Sequence, residues 1–180
     1  MNFTVTKSDL IFSGRVFDLY VDQIEYPSGN KGVRETAVHN GGAVISALTN
    51  ENKLVLVKQY RYPLRADLIE LPAGKLEKGE DPLVCATREL TEETGYTAEK
   101  IVKLNAVPTA PGFCSEILHI YLATGLKPGP AHREEGEYGM EVFECTIPEI
   151  EDMIMSGKIT DSKTIAGVYM TKLYFERNKK

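Results

Sequence analysis

The sequence predicts an α/β fold: a mixed sheet covered by helices, preceded by a small antiparallel β-subdomain. Three observations carry this. Short strand-like runs alternate with helix-like stretches over residues 41–180, the order expected of a sheet layered with helices. No segment repeats and none is of low complexity. The first 40 residues read as strands around turn material, with too few apolar side chains to close a core of their own. The division therefore falls at residue 40, between an N-terminal β-subdomain over 1–40 and a main domain over 41–180.

Residues 15–26 alternate apolar and polar positions, and Pro27, Ser28, Gly29 and Asn30 supply a turn. Residues 33–39 then read as the returning strand. Residues 43–48 and 53–61 flank the polar turn at 49–52 and predict a hairpin whose second arm is apolar on both faces, as in a covered sheet. Residues 67–71 make another short strand, ended by Pro72-Ala73-Gly74. A helix follows, with Asp81 as N-cap, Pro82 at its first position and Gly95 as its stop. Residues 100–107 and 116–124 read as strands around a loop at 108–115. After a long loop over 125–139, residues 141–146 form a strand. Pro148 opens a short helix, and a longer one begins near Asp161.

Composition narrows the function. The chain has 180 residues, 42% hydrophobic and 26% charged, with a net charge of −5. A chain of this size removes about 70% of its extended surface from water, enough for a core that needs no disulfide or structural zinc. The acidic balance opposes nucleic-acid binding, which needs a basic surface. Cys85, Cys114 and Cys145 are odd in number and far apart, and His39, His119 and His132 lie in separate segments, so neither a disulfide framework nor a zinc site is expected. The longest wholly aliphatic run, residues 54–57, cannot span a bilayer, and the N-terminus lacks the apolar stretch of a secretory leader. A cytoplasmic protein is expected, with no membrane and no nucleic acid among its partners.

The chemistry concentrates between Gly74 and Tyr96, where three bases face six acids. At 100° per residue, Leu83, Ala86, Thr87, Leu90 and Thr94 share one face of the helix, which is expected to pack, and the adjoining side presents Glu89 and Glu93 a turn apart with Glu92 next to them. Carboxylates about 6 Å apart repel by roughly 2–3 kcal/mol per pair at an effective dielectric near 20. Arg88 is expected to neutralise one of them. A hard divalent cation, Mg²⁺ or Mn²⁺, turns that repulsion into binding because it prefers oxygen ligands. A metal that lowers the pKa of bound water beside a further carboxylate suits hydrolysis of a phosphoanhydride.

Gly74, Glu80, Arg88, Glu89, Leu90, Glu92, Glu93 and Gly95 match the pattern Gly-x5-Glu-x7-Arg-Glu-(aliphatic)-x-Glu-Glu-x-Gly-(aliphatic), which resembles the Nudix box. A chance match anywhere in the chain is on the order of 10⁻⁷. Tyr96 departs from the pattern at its last, packing position. Glu70-Leu-Pro-Ala-Gly74, Gln59-Tyr-Arg61 and Pro111-Gly-Phe-Cys-Ser-Glu116, with Pro111 sixteen residues after Gly95, resemble the ADP-ribose pyrophosphatase branch of that family. The resemblance implies a Nudix α/β/α sandwich with a mixed sheet, and a Mg²⁺-dependent hydrolase of nucleoside diphosphate sugars, ADP-ribose foremost, with Mn²⁺ as a substitute. GDP-mannose or another sugar nucleotide is the alternative substrate, and a nucleotide-sugar-sensing module without catalysis is the alternative class.

Residue by residue, the resemblance implies that the Ala73 carbonyl, Glu89 and Glu93 hold metal, with Glu92 a further ligand or acceptor. Glu80 and Arg88 pair with their neighbours and fix the helix against its loop. The resemblance further implies that Glu135 or Glu137 is the catalytic base; the segment 133–141 carries one residue more than the commoner pattern, and the choice between the two stays open. Arg61, Glu70 and Glu116 are expected around the diphosphate and terminal ribose, and Arg34 with Tyr26 at the adenine, where an aromatic face and an Arg fork suit a purine nucleotide. A homodimer that exchanges the N-terminal sheet is also implied.

Overall fold

The structure is a computed structural model that describes residues 2–133 and 139–178. It contains ten strands and three helices among the described residues, in the order β1 (Thr4–Ser13), β2 (Asp18–Glu25), β3 (Lys31–Val38), β4 (Gly42–Ala47), β5 (Lys53–Arg61), β6 (Ala66–Glu70), β7 (Ala73–Lys75), α1 (Pro82–Thr94), β8 (Tyr96–Pro108), β9 (Ile117–Pro128), β10 (Glu141–Thr146), α2 (Ile147–Met155) and α3 (Ser162–Asn178). The chain divides into two compact units, one of Met1–Gly41 with Pro108–Ile117, the other of Gly42–Val107 with Leu118–Lys180.

The first unit is an antiparallel sheet in the order β1-β2-β3. β1 has no counterpart in the sequence reading: its apolar residues Val5, Leu10, Ile11 and Phe12 are exposed and do not follow one alternating face. Residues 108–117, which the sequence groups with the main domain, join this unit. Ala37 N–H donates to the Phe113 carbonyl at 2.8 Å and Ser115 N–H to the Ala37 carbonyl at 2.9 Å.

The second unit has two sheets, β7-β4-β9-β8 and β10-β5-β6. β4 and β9 run parallel, from Gly42 opposite Leu118 to Ala47 opposite Ala123, and β4 is antiparallel to β7. Every residue of β4 is buried, and the period of two sorts its side chains between two cores. Ala43, Ile45 and Ala47 pack with Cys85, Ala86 and Leu90 of α1. Val44 packs on the other side with Leu54, Ile120, Ile150 of α2 and Val168 of α3. The unit is thus a helix, sheet, helix sandwich.

One expected pairing is corrected. Residues 43–48 and 53–61 do not form a hairpin within one sheet; a single bridge, Leu48 with Leu54, joins them, and β4 and β5 enter different sheets. The apolar character of both arms is the reason. Each strand is covered on both faces, Val55 contributing to one core and Leu54 and Leu56 to the other, and a two-sided apolar strand does not specify its neighbour.

Candidate active site

The helix α1 begins and ends where its sequence dictates. The Asp81 side chain accepts from Leu83 and Val84 N–H, Pro82 takes the first position, and Gly95 closes the helix at φ 77°. A Cβ at Gly95 would also strike the backbone of Gly129. The face that α1 turns inward differs from expectation. Cys85, Ala86, Glu89, Leu90 and Glu93 are buried, whereas Leu83 is 43% exposed and Thr87 lies outside the core. Glu89 and Glu93 therefore occupy the packing side itself, at 8% and 2% exposure.

Gly74 makes room for this. A Cβ there would fall inside the Glu89 carboxylate, so β7 can cross α1 at this point only without a side chain. One residue earlier, Ala73 N–H donates to Glu93 Oε2 at 3.1 Å. The β6–β7 connection and the last two turns of α1 thus meet through Glu89 and Glu93.

Arg88 engages three carboxylates at once, while its single charge neutralises one of them. Its Nε lies 3.2 Å from Glu80 Oε1, and its Nη1 donates to Glu89 Oε1 at 2.8 Å and Glu92 Oε2 at 3.0 Å. Glu80 also accepts from Glu77 N–H at 2.9 Å. Burial alone would raise the Glu80 pKa, yet the Glu77 N–H and Arg88 outweigh it and leave the carboxyl below the usual range. Burial would lower the Arg88 pKa, but Glu80, Glu89 and Glu92 hold it above the ordinary value. With Glu93 included, four carboxylates and one guanidinium carry a formal −3. The Cys85 thiol beside them is pushed up to about 12 by burial and then by Glu80 and Glu89, and so stays a neutral packing group.

Arg61 and Glu70 come together in a bidentate pair from adjacent strands, with Arg61 Nε donating to Glu70 Oε1 at 2.9 Å and Nη2 to Oε2. Glu70 is 1% exposed and takes a third bond from Lys163 Nζ at 2.7 Å. Lys163 is a residue the sequence reading missed; it sits ninety-three positions away with no local pattern to mark it. Arg133 was missed for the same reason. Its Nε donates to the Glu93 carbonyl at 3.1 Å and its Nη1 to the Met140 carbonyl at 2.7 Å, while His132 N–H reaches the Glu92 carbonyl at 3.0 Å. Glu135 and Glu137 lie outside the described residues.

In the N-terminal unit Arg34 Nη2 donates to the Tyr26 hydroxyl at 2.6 Å, and Phe3 meets the Tyr26 ring edge-on. Glu116 belongs to the same unit and lies 3.4 Å from His39 Nδ1.

The NUDIX domain model matches residues 39–165, more than half of the chain and the whole box. The chain belongs to the Nudix family. It is 47% identical over 169 residues to the methanol dehydrogenase activator of Bacillus methanolicus, covering 93% of this chain and 91% of that one. It is 44% identical over 172 residues to the ADP-ribose pyrophosphatase of Bacillus subtilis (strain 168), covering 94% and 92%. The crystal structure of an ADP compounds hydrolase superposes with a TM-score of 0.89, over 99% of this chain and 97% of that one; at 18% identity this bears on the fold. The protein is a Nudix hydrolase, with an α/β sandwich as expected.

Nudix hydrolases generally use divalent metal ions. The donors around Gly74 fit a hard cation in kind: they are oxygens, two of the carboxylates are buried, and the neighbouring thiol is neutral. Among the described residues no three His, Cys, Asp or Glu side chains are gathered as a ready metal site. Glu80, Glu89 and Glu92 are instead drawn onto the Arg88 guanidinium. The described residues include no helix long and apolar enough to cross a membrane.

Proposed function

We propose that this Nudix hydrolase cleaves the diphosphate linkage of a nucleoside diphosphate sugar, ADP-ribose foremost, to give AMP and ribose 5-phosphate. The observation that carries this is the intact carboxylate set of Glu80, Glu89, Glu92 and Glu93 with Arg88, assembled against Ala73 and Gly74. A module that only bound its ligand would not need four carboxylates massed at one point, two of them buried. The likeness to the ADP-ribose pyrophosphatase of Bacillus subtilis, which extends over nearly the full length of both chains, supports the choice of substrate.

The Ala73 carbonyl, Glu89 and Glu93, with Glu92 beside them, would hold Mg²⁺, for which Mn²⁺ can substitute. When bound, the cation neutralises phosphate charge and acidifies water. Arg88 holds Glu80, Glu89 and Glu92 in place rather than touching substrate, a role that suits a planar fork. Glu135 or Glu137 takes the proton from the attacking water. The Arg133 and His132 bonds to the end of α1 support this, since they bring the start of that segment to Glu92 and Glu93. Arg61, Glu70 and Glu116 serve the diphosphate and terminal ribose, and Arg34 with Tyr26 the adenine.

A homodimer formed through the N-terminal sheet, residues 1–40, belongs to the same reading. That sheet leaves Phe3, Leu10, Ile11, Phe12 and Val33 exposed, and such apolar side chains suit a surface that a second copy covers. A cytoplasmic setting fits three unpaired cysteines.

The test is incubation of the protein with Mg²⁺ and ADP-ribose, GDP-mannose, NADH or dGTP, with products resolved by ion-exchange chromatography. AMP and ribose 5-phosphate should form from ADP-ribose faster than any other substrate is consumed. Preferential cleavage of dGTP, or binding without cleavage of all four, would refute the assignment.

A further inference from the structure

Glu70 carries two cations, and the second requires an explanation. Arg61 alone could neutralise it, through two parallel bonds from the next strand. Lys163, in the first turn of α3, nevertheless places Nζ 2.7 Å from Glu70 Oε2 and 3.0 Å from Asp161 Oδ2, with 13% of its side chain exposed. Asp161 is fixed in turn, accepting from Thr164 N–H at 2.9 Å and from the Thr164 hydroxyl at 2.6 Å. That hydroxyl accepts from Leu71 N–H at 2.8 Å. The start of α3 therefore grips residue 70 by its side chain and residue 71 by its backbone, just ahead of Ala73 and its bond to Glu93.

The charges explain the second cation. Arg61, Lys163, Glu70 and Asp161 sum to zero. Without Lys163 the group would carry −1, close to Glu93, whose charge together with that of Asp161 already acts on the Arg61 guanidinium. A diphosphate approaching Arg61 would then meet a net anion. Arg61 has five N–H donors and spends two on Glu70, so three remain for a ligand, and its side chain is 36% exposed.

We propose that Lys163 is a positioning residue of the hydrolase: by sharing Glu70 it keeps the Arg61 fork cationic toward the substrate diphosphate, without touching substrate itself. This rests on the diphosphate-cleaving reading above. It predicts an effect on substrate binding and little on the chemical step.

The experiment compares wild type, Lys163→Met, Lys163→Arg and Asp161→Asn. It measures KM and kcat with ADP-ribose and Mg²⁺, and the Kd of methylenediphosphonate, a diphosphate that is not hydrolysed, by calorimetry. One unit charge removed within several ångströms of the ligand, partly screened, should raise KM and Kd about tenfold in Lys163→Met, while kcat changes less than about threefold. Lys163→Arg should return both to within about threefold of wild type, since the charge is kept. Asp161→Asn, which keeps a good helix cap, should lower both by about two- to threefold. Unchanged KM and Kd in Lys163→Met, a loss confined to kcat, or a shift of Asp161→Asn in the same direction as Lys163→Met would each overturn the proposal. If the wild type cleaves no sugar nucleotide, the functional reading fails, and the diphosphonate titration still decides on Lys163: no binding by the wild type, or equal Kd in wild type and Lys163→Met, overturns it. If Lys163→Met does not fold, Asp161→Asn decides, and an unchanged or weaker Kd sinks the idea.

Discussion

Replacing Glu93 by Gln separates the cost of the acidic cluster from its use. Glu93 is 2% exposed and accepts from Ala73 N–H at 3.1 Å; the amide oxygen of Gln can accept the same bond, so the β6–β7 connection keeps its anchor. The change removes one charge from a cluster of formal −3. With Glu89 one helical turn away, about 6 Å, the pair repulsion is roughly 2–3 kcal/mol at an effective dielectric near 20, offset only in part by the Arg61 guanidinium, on which the Glu93 charge acts. The variant measured in EDTA should therefore melt at the wild-type temperature or above it. Turnover should fall about a thousandfold or more, equivalent to roughly 4 kcal/mol of lost transition-state stabilisation. The rise in melting temperature that Mg²⁺ gives the wild type should shrink with it, since a ligand stabilises only the state that binds it. Differential scanning fluorimetry with and without Mg²⁺, beside an ADP-ribose assay, reads all three quantities. Near-normal turnover in Glu93→Gln would refute the metal assignment, and a clear loss of stability in EDTA would refute the view that the cluster is held together against repulsion.

Two further outcomes follow from the same geometry. Gly74→Ala places a methyl where the Glu89 carboxylate lies, and should cost about 2 kcal/mol or more of stability in urea unfolding together with most of the activity; wild-type values would show that β7 and α1 do not meet as described. The Glu70 carboxyl lies below the ordinary range: burial would raise it, but the Arg61 hydrogen bonds and the Lys163 and Arg61 charges prevail. A depressed folded-state pKa gives stability that is complete above the ordinary glutamate value, about 4.3, and is lost as pH falls through the folded value. Urea midpoints should therefore drop on acidification below about pH 5, and Glu70→Gln should show a shallower drop; an acid limb as steep as that of the wild type would remove Glu70 from the account.

What could be read from the sequence was local. The caps of α1 were legible because Asp81, Pro82 and Gly95 each act through their own backbone positions. The strand at residues 141–146 was legible because the loop ending at Gly139 and the helix signal at Pro148 bound a short run, whose residues Val142, Phe143 and Cys145 enter the two cores. What failed was partnership. β4 and β5 look like a hairpin in the sequence because a short polar turn joins two apolar runs, and only the burial of both faces of each sends them to separate sheets. The helix face was misjudged for a related reason. Helical spacing puts Leu83 and Thr87 on one face with Ala86 and Leu90, whereas the crossing of β7 at Gly74 turns Glu89 and Glu93 inward. Lys163 and Arg133 carry no signal at all until tertiary structure brings them to Glu70 and to the end of α1.

The inward turn of Glu89 and Glu93 sets what the rest of the unit must do. Those two positions face a sheet, where leucine would contribute about 1.5–3 kcal/mol each by burial; carboxylates there forgo that gain and add repulsion. The compensation lies in contacts whose only common feature is that they fix α1 against β7 without filling the space between them. Asp81 and Gly95 cap the helix, the former for about 1 kcal/mol. Arg88 ties Glu80, Glu89 and Glu92 into one network. Ala73 N–H satisfies an oxygen of Glu93. Leu90 and Ala86 pack against β4 and β9 on the flank of α1 that carries no charge. Each contact stabilises the helix while leaving carboxylate oxygens at its crossing with Gly74. A leucine at position 89 or 93 would bury more apolar surface but leave Arg88 or the Ala73 N–H without its acceptor, and would remove the group that gives the site its charge. The buried acids are therefore best understood as stability given up for chemistry, and the caps, the glycine and the arginine as what makes that sacrifice affordable to the fold.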